Sequence, residues 1–198
     1  GMTCYIASRY VSAAPQQTNT LSTTTNGTVS QSGEITLNPS WTYADFSKIN
    51  SGAAKLYKAE ESIRKGITIC VNAGHGTSGG SSVKTLCHPD GTPKVTGGTT
   101  GQGATSAVAV SSGMTFSDGT AEAKVTLAMA LKFKDKLLAA GYDVLMIRES
   151  DDVQLDNIAR TVIANNAADC HIALHWDSTS NNKGAFYMSV PDVASYRG

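Results

Sequence analysis

The chain has 198 residues, with 16 Lys and Arg against 16 Asp and Glu and a formal net charge of zero. That length suits one sizeable core rather than two, and without a basic run the chain has nothing to track a phosphate backbone, so nucleic acid is not an expected partner. No apolar stretch approaches the roughly 18 residues of a membrane span, and no charged start leads into an apolar export core, so any such signal is taken as removed or never present.

In chain order, residues 12–42 are rich in Ser, Thr, Gln and Asn with sparse apolar points, which predicts a peripheral arm or linker over 1–42. From Tyr43 to Tyr57 the apolar residues fall near helical spacing, predicting one helix or two short ones. Ile67 to Asn72 is a β-branched apolar run and reads as a buried strand. Residues 77–119 are mostly Gly, Ser and Thr. A segment of that length inside a compact domain is usually functional, and it is expected to form a flap, with a short strand at 104–110. Thr120 to Ala140 predicts a long helix with Val125, Ala128, Leu131 and Leu138 on one face, stopped by Gly141. Tyr142 to Ile147 is a strand, and Leu155 to Ala168 a second helix with Ile158, Ala159 and Val162 inward. Two further strands follow, Cys170 to Leu174 and Gly184 to Val190. The alternation predicts an α/β fold: a mostly parallel twisted sheet flanked by helices, with residues 43–198 as one domain.

Ligand sites in such sheets gather at the carboxyl ends of strands. His75 stands in Ala73-Gly74-His75-Gly76, just after the first predicted buried strand, and His175 follows Ala173-Leu174 at the end of another. Glu122 opens the long helix. Two imidazoles and one carboxylate suit zinc and leave a fourth position for water, which points to a zinc-dependent hydrolase. Each residue has an ordinary explanation when taken singly. His75 suits a glycine turn, Glu122 suits the helix dipole, and His175 suits a buried partner. His171 shares a strand face with His175 and reads as a core or ligand-supporting residue, and His88 as a solvated flap histidine. Cys4, Cys70, Cys87 and Cys170 follow no metal spacing; inert buried thiols are expected.

From Ile67 to about Ser189 the chain resembles the zinc-dependent N-acetylmuramoyl-L-alanine amidases of bacterial cell walls, the Amidase_3 group. The resemblance rests on Ala73-Gly74-His75-Gly76, on Glu122 at a helix head, and on Val144-Leu145-Met146-Ile147-Arg148 followed by Asp151. It continues with Arg160 and Ala164-Asn165, and with Ala173-Leu174-His175-Trp176-Asp177, all in the family's order. It implies a phosphorylase/hydrolase-like fold, Zn2+ held by His75, Glu122 and His175, and cleavage of the amide joining N-acetylmuramic acid to L-alanine in peptidoglycan. It also implies a secreted or cell-envelope location in a bacterium, as for an autolysin.

Arg148 and Arg160 are expected to tie strand ends to helices, with substrate contact as the lesser role, and Asp177 to orient His175. The flap is longer than in compact members and is expected to cover the metal. The family's second catalytic glutamate has no match before Gly198, so the catalytic base is unassigned; Glu149 and Asp177 are the nearest substitutes. A short carboxyl-terminal side would leave an open sheet edge, which a homo-oligomer would cover. Two other readings stay open: a metal-retaining peptidoglycan-binding module without activity, and a zinc peptidase.

Overall fold

The computed structural model describes residues 2–8, 31–88, 90–95, 97, 100–177 and 184–189. Within them the chain runs β1 (Met2–Ser8), β2 (Gln31–Thr36), a 3-10 turn at Ala44–Phe46, β3 (Ala53–Tyr57), β4 (Thr68–Ala73), β5 (Lys84–Leu86) and β6 (Ser106–Val108). It continues with α1 (Glu122–Ala139), β7 (Asp143–Met146), α2 (Asn157–Ala167), β8 (Cys170–Trp176) and β9 (Phe186–Ser189). Seven strands form one sheet in the order β2-β3-β7-β4-β8-β1-β9, and β5 and β6 form a separate hairpin.

The fold is α/β, but the sheet is mixed rather than mostly parallel. β4 is parallel to β7 and to β8, and β1 to β9, whereas β2–β3, β3–β7 and β8–β1 are antiparallel. The expected alternation of strand and helix holds for the centre, where long crossovers make parallel pairing natural. The outer strands come from segments without such crossovers. Two of them, β1 and β2, lie in the stretch expected to be an arm, and the residues between them fall outside the described ones. The helix expected between Tyr43 and Tyr57 is instead the 3-10 turn followed by β3. Pairing with β2 and β7 overrides the helical spacing there.

The central strands are covered on both faces, which accounts for their continuous apolar sequence. One cluster joins Val71, Ala73, Val144, Met146 and Leu174 to Ala130, Leu137 and Leu138 of α1. The other joins Cys70, Leu145 and Ile147 to Ala159, Ile163 and Ala164 of α2. α1 ends in a Schellman motif, with Gly141 N–H donating to Leu138 O and Tyr142 N–H to Leu137 O, both at 3.0 Å. α2 starts at Asp156, whose fully buried carboxylate accepts from Ala159 N–H at 2.8 Å and also from Ser47 Oγ and the N–H groups of Lys48 and Ile49. The face of α1 turns out differently from expectation. Thr126, Ala130 and Leu137 are buried with Leu138, while Ala128 is exposed.

Candidate functional site

β4 and β8 run side by side and in the same direction, with Ala73 opposite Leu174, so their carboxyl ends lie together. His75 sits two residues beyond β4. His175 is within β8 rather than just past it. Gly74, between β4 and His75, allows the turn to approach β8 closely: a Cβ there would stand 2.3 Å from Cε1 of His175. His75 itself has φ 65, a left-handed conformation that costs a non-glycine residue about 1–2 kcal/mol. Arg160 Nη2 offsets part of this cost by donating to His75 O at 2.8 Å.

Glu122 stands in the first turn of α1, yet its carboxylate does not cap the helix. Oε1 lies 3.0 Å from His75 Nε2 and 3.1 Å from His175 Nδ1, and the two ring nitrogens are 3.1 Å apart. The three residues converge into a near-equilateral triangle of donor atoms and form a group able to hold a metal ion. Zinc binds such donors at about 2.0–2.2 Å in a tetrahedral array, which spaces neighbouring donors by roughly 3.3 Å. The observed triangle is close to that size.

The hydrogen bonding of the site supports the same fit. His75 Nδ1 donates to Ser111 O at 2.8 Å, and a carbonyl cannot donate, so the neutral ring carries its lone pair on Nε2. That lone pair faces a carboxylate oxygen, an arrangement a cation relieves. Glu122 Oε2 accepts from Met114 N–H and Oε1 from Trp176 N–H, each at 2.9 Å. Burial alone would raise the carboxyl's pKa. Proximity to the His175 and His75 rings, together with the N–H groups of Met114 and Trp176, outweighs it and holds the group well below the usual carboxylate range.

A family model described as N-acetylmuramoyl-L-alanine amidase matches residues 69–192. The chain belongs to that amidase family. The match begins in β4 and includes all three converging residues. Among curated proteins and among solved structures, no significant match is found.

Around the three converging residues, Arg148 and Arg160 lie under the turn rather than in the open. Arg148 is 2% exposed and donates to Ala73 O, Gly74 O, Ala123 O and Ser150 O, and to Thr126 Oγ1. Arg160 is 1% exposed and reaches Leu155 O, His75 O and Thr77 Oγ1, with longer bonds to Ala73 O and Asn72 Oδ1. Burial lowers the pKa of Arg148 to about 10. Burial and then the neighbouring Arg148 charge lower that of Arg160 to about 9. Both stay cationic near neutrality, and both fasten the turn to helices, Arg148 to α1 and Arg160 from α2.

His171 sits deeper in the same strand and meets Asn72 Nδ2 at 3.1 Å. Asp177 is exposed beside the end of β8. Glu149 is engaged elsewhere, accepting from Lys134 Nζ at 2.6 Å and from the Tyr57 hydroxyl. Among the described residues, no further Asp or Glu joins the three. His88 is fully buried against Thr92 Oγ1 at 2.8 Å, not solvated, because the flap folds on itself around it. Cys70, Cys87 and Cys170 are free thiols, and burial raises the pKa of Cys70 and Cys170.

The contacts that sequence reasoning missed are those of Ser111, Gly113 and Met114. Ser111 and Met114 act through a main-chain carbonyl and a main-chain N–H, which leave no residue-type signature. The one available cue was Gly113, nine positions before Glu122 in a run of mostly small residues.

Proposed function

We propose that this chain is a zinc-dependent amidase that cleaves the bond between N-acetylmuramic acid and L-alanine of peptidoglycan. The observation that carries the reading is the triangle of His75 Nε2, Glu122 Oε1 and His175 Nδ1, with sides of 3.0–3.1 Å, at the carboxyl ends of two parallel strands. These residues would hold Zn2+, which when bound supplies a Lewis acid and a water of lowered pKa.

The chain's own groups set the rest. His75 is locked with its imine nitrogen toward the site by Ser111 O. Glu122 is fixed through both oxygens, and its depressed pKa suits a ligand rather than the group that moves a proton. A cleft of about 380 Å³ next to the His75 turn is lined by Gly76, Thr77, Ser78, Ser111, Ser112 and Asp151, among others, and by none of the three converging side chains. Its hydroxyls and main-chain groups suit a substrate rich in amide and hydroxyl groups, as a muropeptide is. A cell-wall substrate places the enzyme in the bacterial envelope or outside it. Among the described residues, no helix is long and apolar enough to cross a membrane.

A second reading is favoured by the absence of a further carboxylate at the site among the described residues: a peptidoglycan-binding module that retains metal without hydrolysis. Two measurements on protein purified without chelators separate the readings: metal content by elemental analysis, and release of stem peptides from purified peptidoglycan. Near-stoichiometric zinc with peptide release, both abolished in His175→Ala, supports the amidase. Zinc with tight sacculus binding but no release supports the module. Preferential cleavage of plain peptides over muropeptides would sink the proposed substrate and leave a zinc peptidase.

A further inference from the structure

The flap does more than border the metal site. Ala109 and Val110 are 0% and 2% exposed, and their main chain is anchored. Ala109 N–H donates to Val83 O at 2.8 Å, Asn157 N–H to Ala109 O at 3.1 Å, and Val110 N–H to Gly80 O at 3.2 Å. From that anchor the next four residues touch two of the three converging side chains. Ser111 O accepts from His75 Nδ1, and Met114 N–H donates to Glu122 Oε2. Glu122 N–H returns to Met114 O at 2.9 Å, and Thr115 bridges to Ala121. Between these contacts lies Gly113, at φ 77. A Cβ on it would stand 2.8 Å from His75 Cδ2 and 2.9 Å from Glu122 Oε2.

We propose that Ser111–Met114 is a positioning segment that sets the affinity of the His75–Glu122–His175 site for a divalent metal ion. The inference rests on the metal reading above. In each of the two ligands the segment grips the atom that faces away from the other donors: the distal ring nitrogen of His75 and the second carboxylate oxygen of Glu122. Donation to Ser111 O keeps the imidazole from turning and fixes the tautomer that leaves Nε2 free to bind an ion. The Met114 N–H keeps the carboxylate from rotating. Ligands held in this way lose less rotamer freedom when they bind an ion. Coupling is reciprocal: whatever factor the segment adds to metal affinity, metal adds to the stability of the segment in this position.

The test uses the full chain, stripped of metal and titrated with zinc against a chromophoric chelator, with amide hydrogen exchange followed at Met114. Gly113→Ala places a methyl group against both ligands. Gly103→Ala is the control, since Gly103 has φ 86 but nothing within 4 Å of its would-be Cβ, so it carries the backbone penalty alone. Gly113→Ala is expected to weaken zinc binding by about 10–100-fold, the usual cost of losing ligand support, and Gly103→Ala by less than about twofold. Zinc is expected to slow exchange at Met114 N–H in the wild type, a readout that decides the matter even if Gly113→Ala fails to fold. Unaltered zinc affinity in a folded Gly113→Ala variant, or no change in Met114 exchange on zinc addition, overturns this inference while leaving the metal site intact. A wild-type chain that takes up no zinc overturns the metal reading itself, and this inference with it.

Discussion

Two backbone segments frame the same three side chains, and they are held by different means. The turn from Asn72 to Thr77 is fastened by two guanidinium groups buried to 2% exposure or less, each spread over several main-chain carbonyls. The segment Ser111–Met114 is fastened by main-chain hydrogen bonds and a left-handed glycine, with no buried charge of its own. The first arrangement commits the turn to the core: taking away a donor leaves buried carbonyls without partners, and the whole fold feels it. The second touches only the site. Substitutions in the turn should therefore register in global stability, and those in the flap segment in metal affinity.

The largest expected effect tests the turn. Arg160→Met takes the guanidinium donor from the buried His75 O and leaves Leu155 O with Thr77 Oγ1 alone, and should cost about 2–4 kcal/mol in urea unfolding. Arg160→Lys keeps the charge but cannot span the same acceptors, so it should recover only part of that loss. An unchanged unfolding midpoint in Arg160→Met would show that the guanidinium is not what holds the turn. Next, Gly74→Ala drives a methyl group into the His175 ring and should lower zinc affinity about 100-fold in chelator competition. This change would carry a turn substitution into the proposed metal site, and normal zinc binding would contradict the close packing seen there.

A smaller effect concerns pH. Burial, followed by the Arg160 charge, lowers the His171 pKa to about 4, whereas the unfolded chain titrates near 6.5. Between those values the unfolded state binds the proton and the folded state does not. The contribution of neutral His171 is thus complete above pH 6.5 and declines as pH falls through 4, by up to about 3 kcal/mol. Urea midpoints measured across that window should show the decline, and His171→Gln should remove this part of the slope. The smallest effect belongs to the flap. Ser111→Ala removes a hydroxyl 3.1 Å from His75 Nδ1 but keeps the carbonyl that accepts the proton. It should change stability by less than about 0.5 kcal/mol, and a zinc affinity equal to wild type would locate the contact in the main chain.

Much of the centre was legible because its signals are local. The run Thr68–Ala73 is short, apolar and β-branched, and Gly141 ends α1 through a motif written in adjacent residues. Elsewhere local signals competed with partners far away in sequence. Ala53–Tyr57 has helical spacing but pairs with β2 and β7. On α1, Thr126 is buried although hydropathy favours Val125 and Leu131, because its hydroxyl bonds to Gly74 O at 2.9 Å and to Ala123 O at 3.1 Å. The antiparallel flanks of the sheet were hidden for the same reason, since β1 and β2 gain their meaning only from the strands they pair with.

The order and chemistry of the residues alone determined that His75, Glu122 and His175 were the group to watch, that an α/β core would carry them, and which family they resembled. Side-chain type and position along an element are sufficient for that, because ligand chemistry and helix or strand period are properties of the chain itself. Only the tertiary structure decided that the three atoms stand 3.0–3.1 Å apart, that His75 adopts a left-handed backbone, and that the flap's main chain grips two of the three. Those features arise from long-range closure and from carbonyl and N–H groups that nearly every residue shares, so no pattern of residue types announces them.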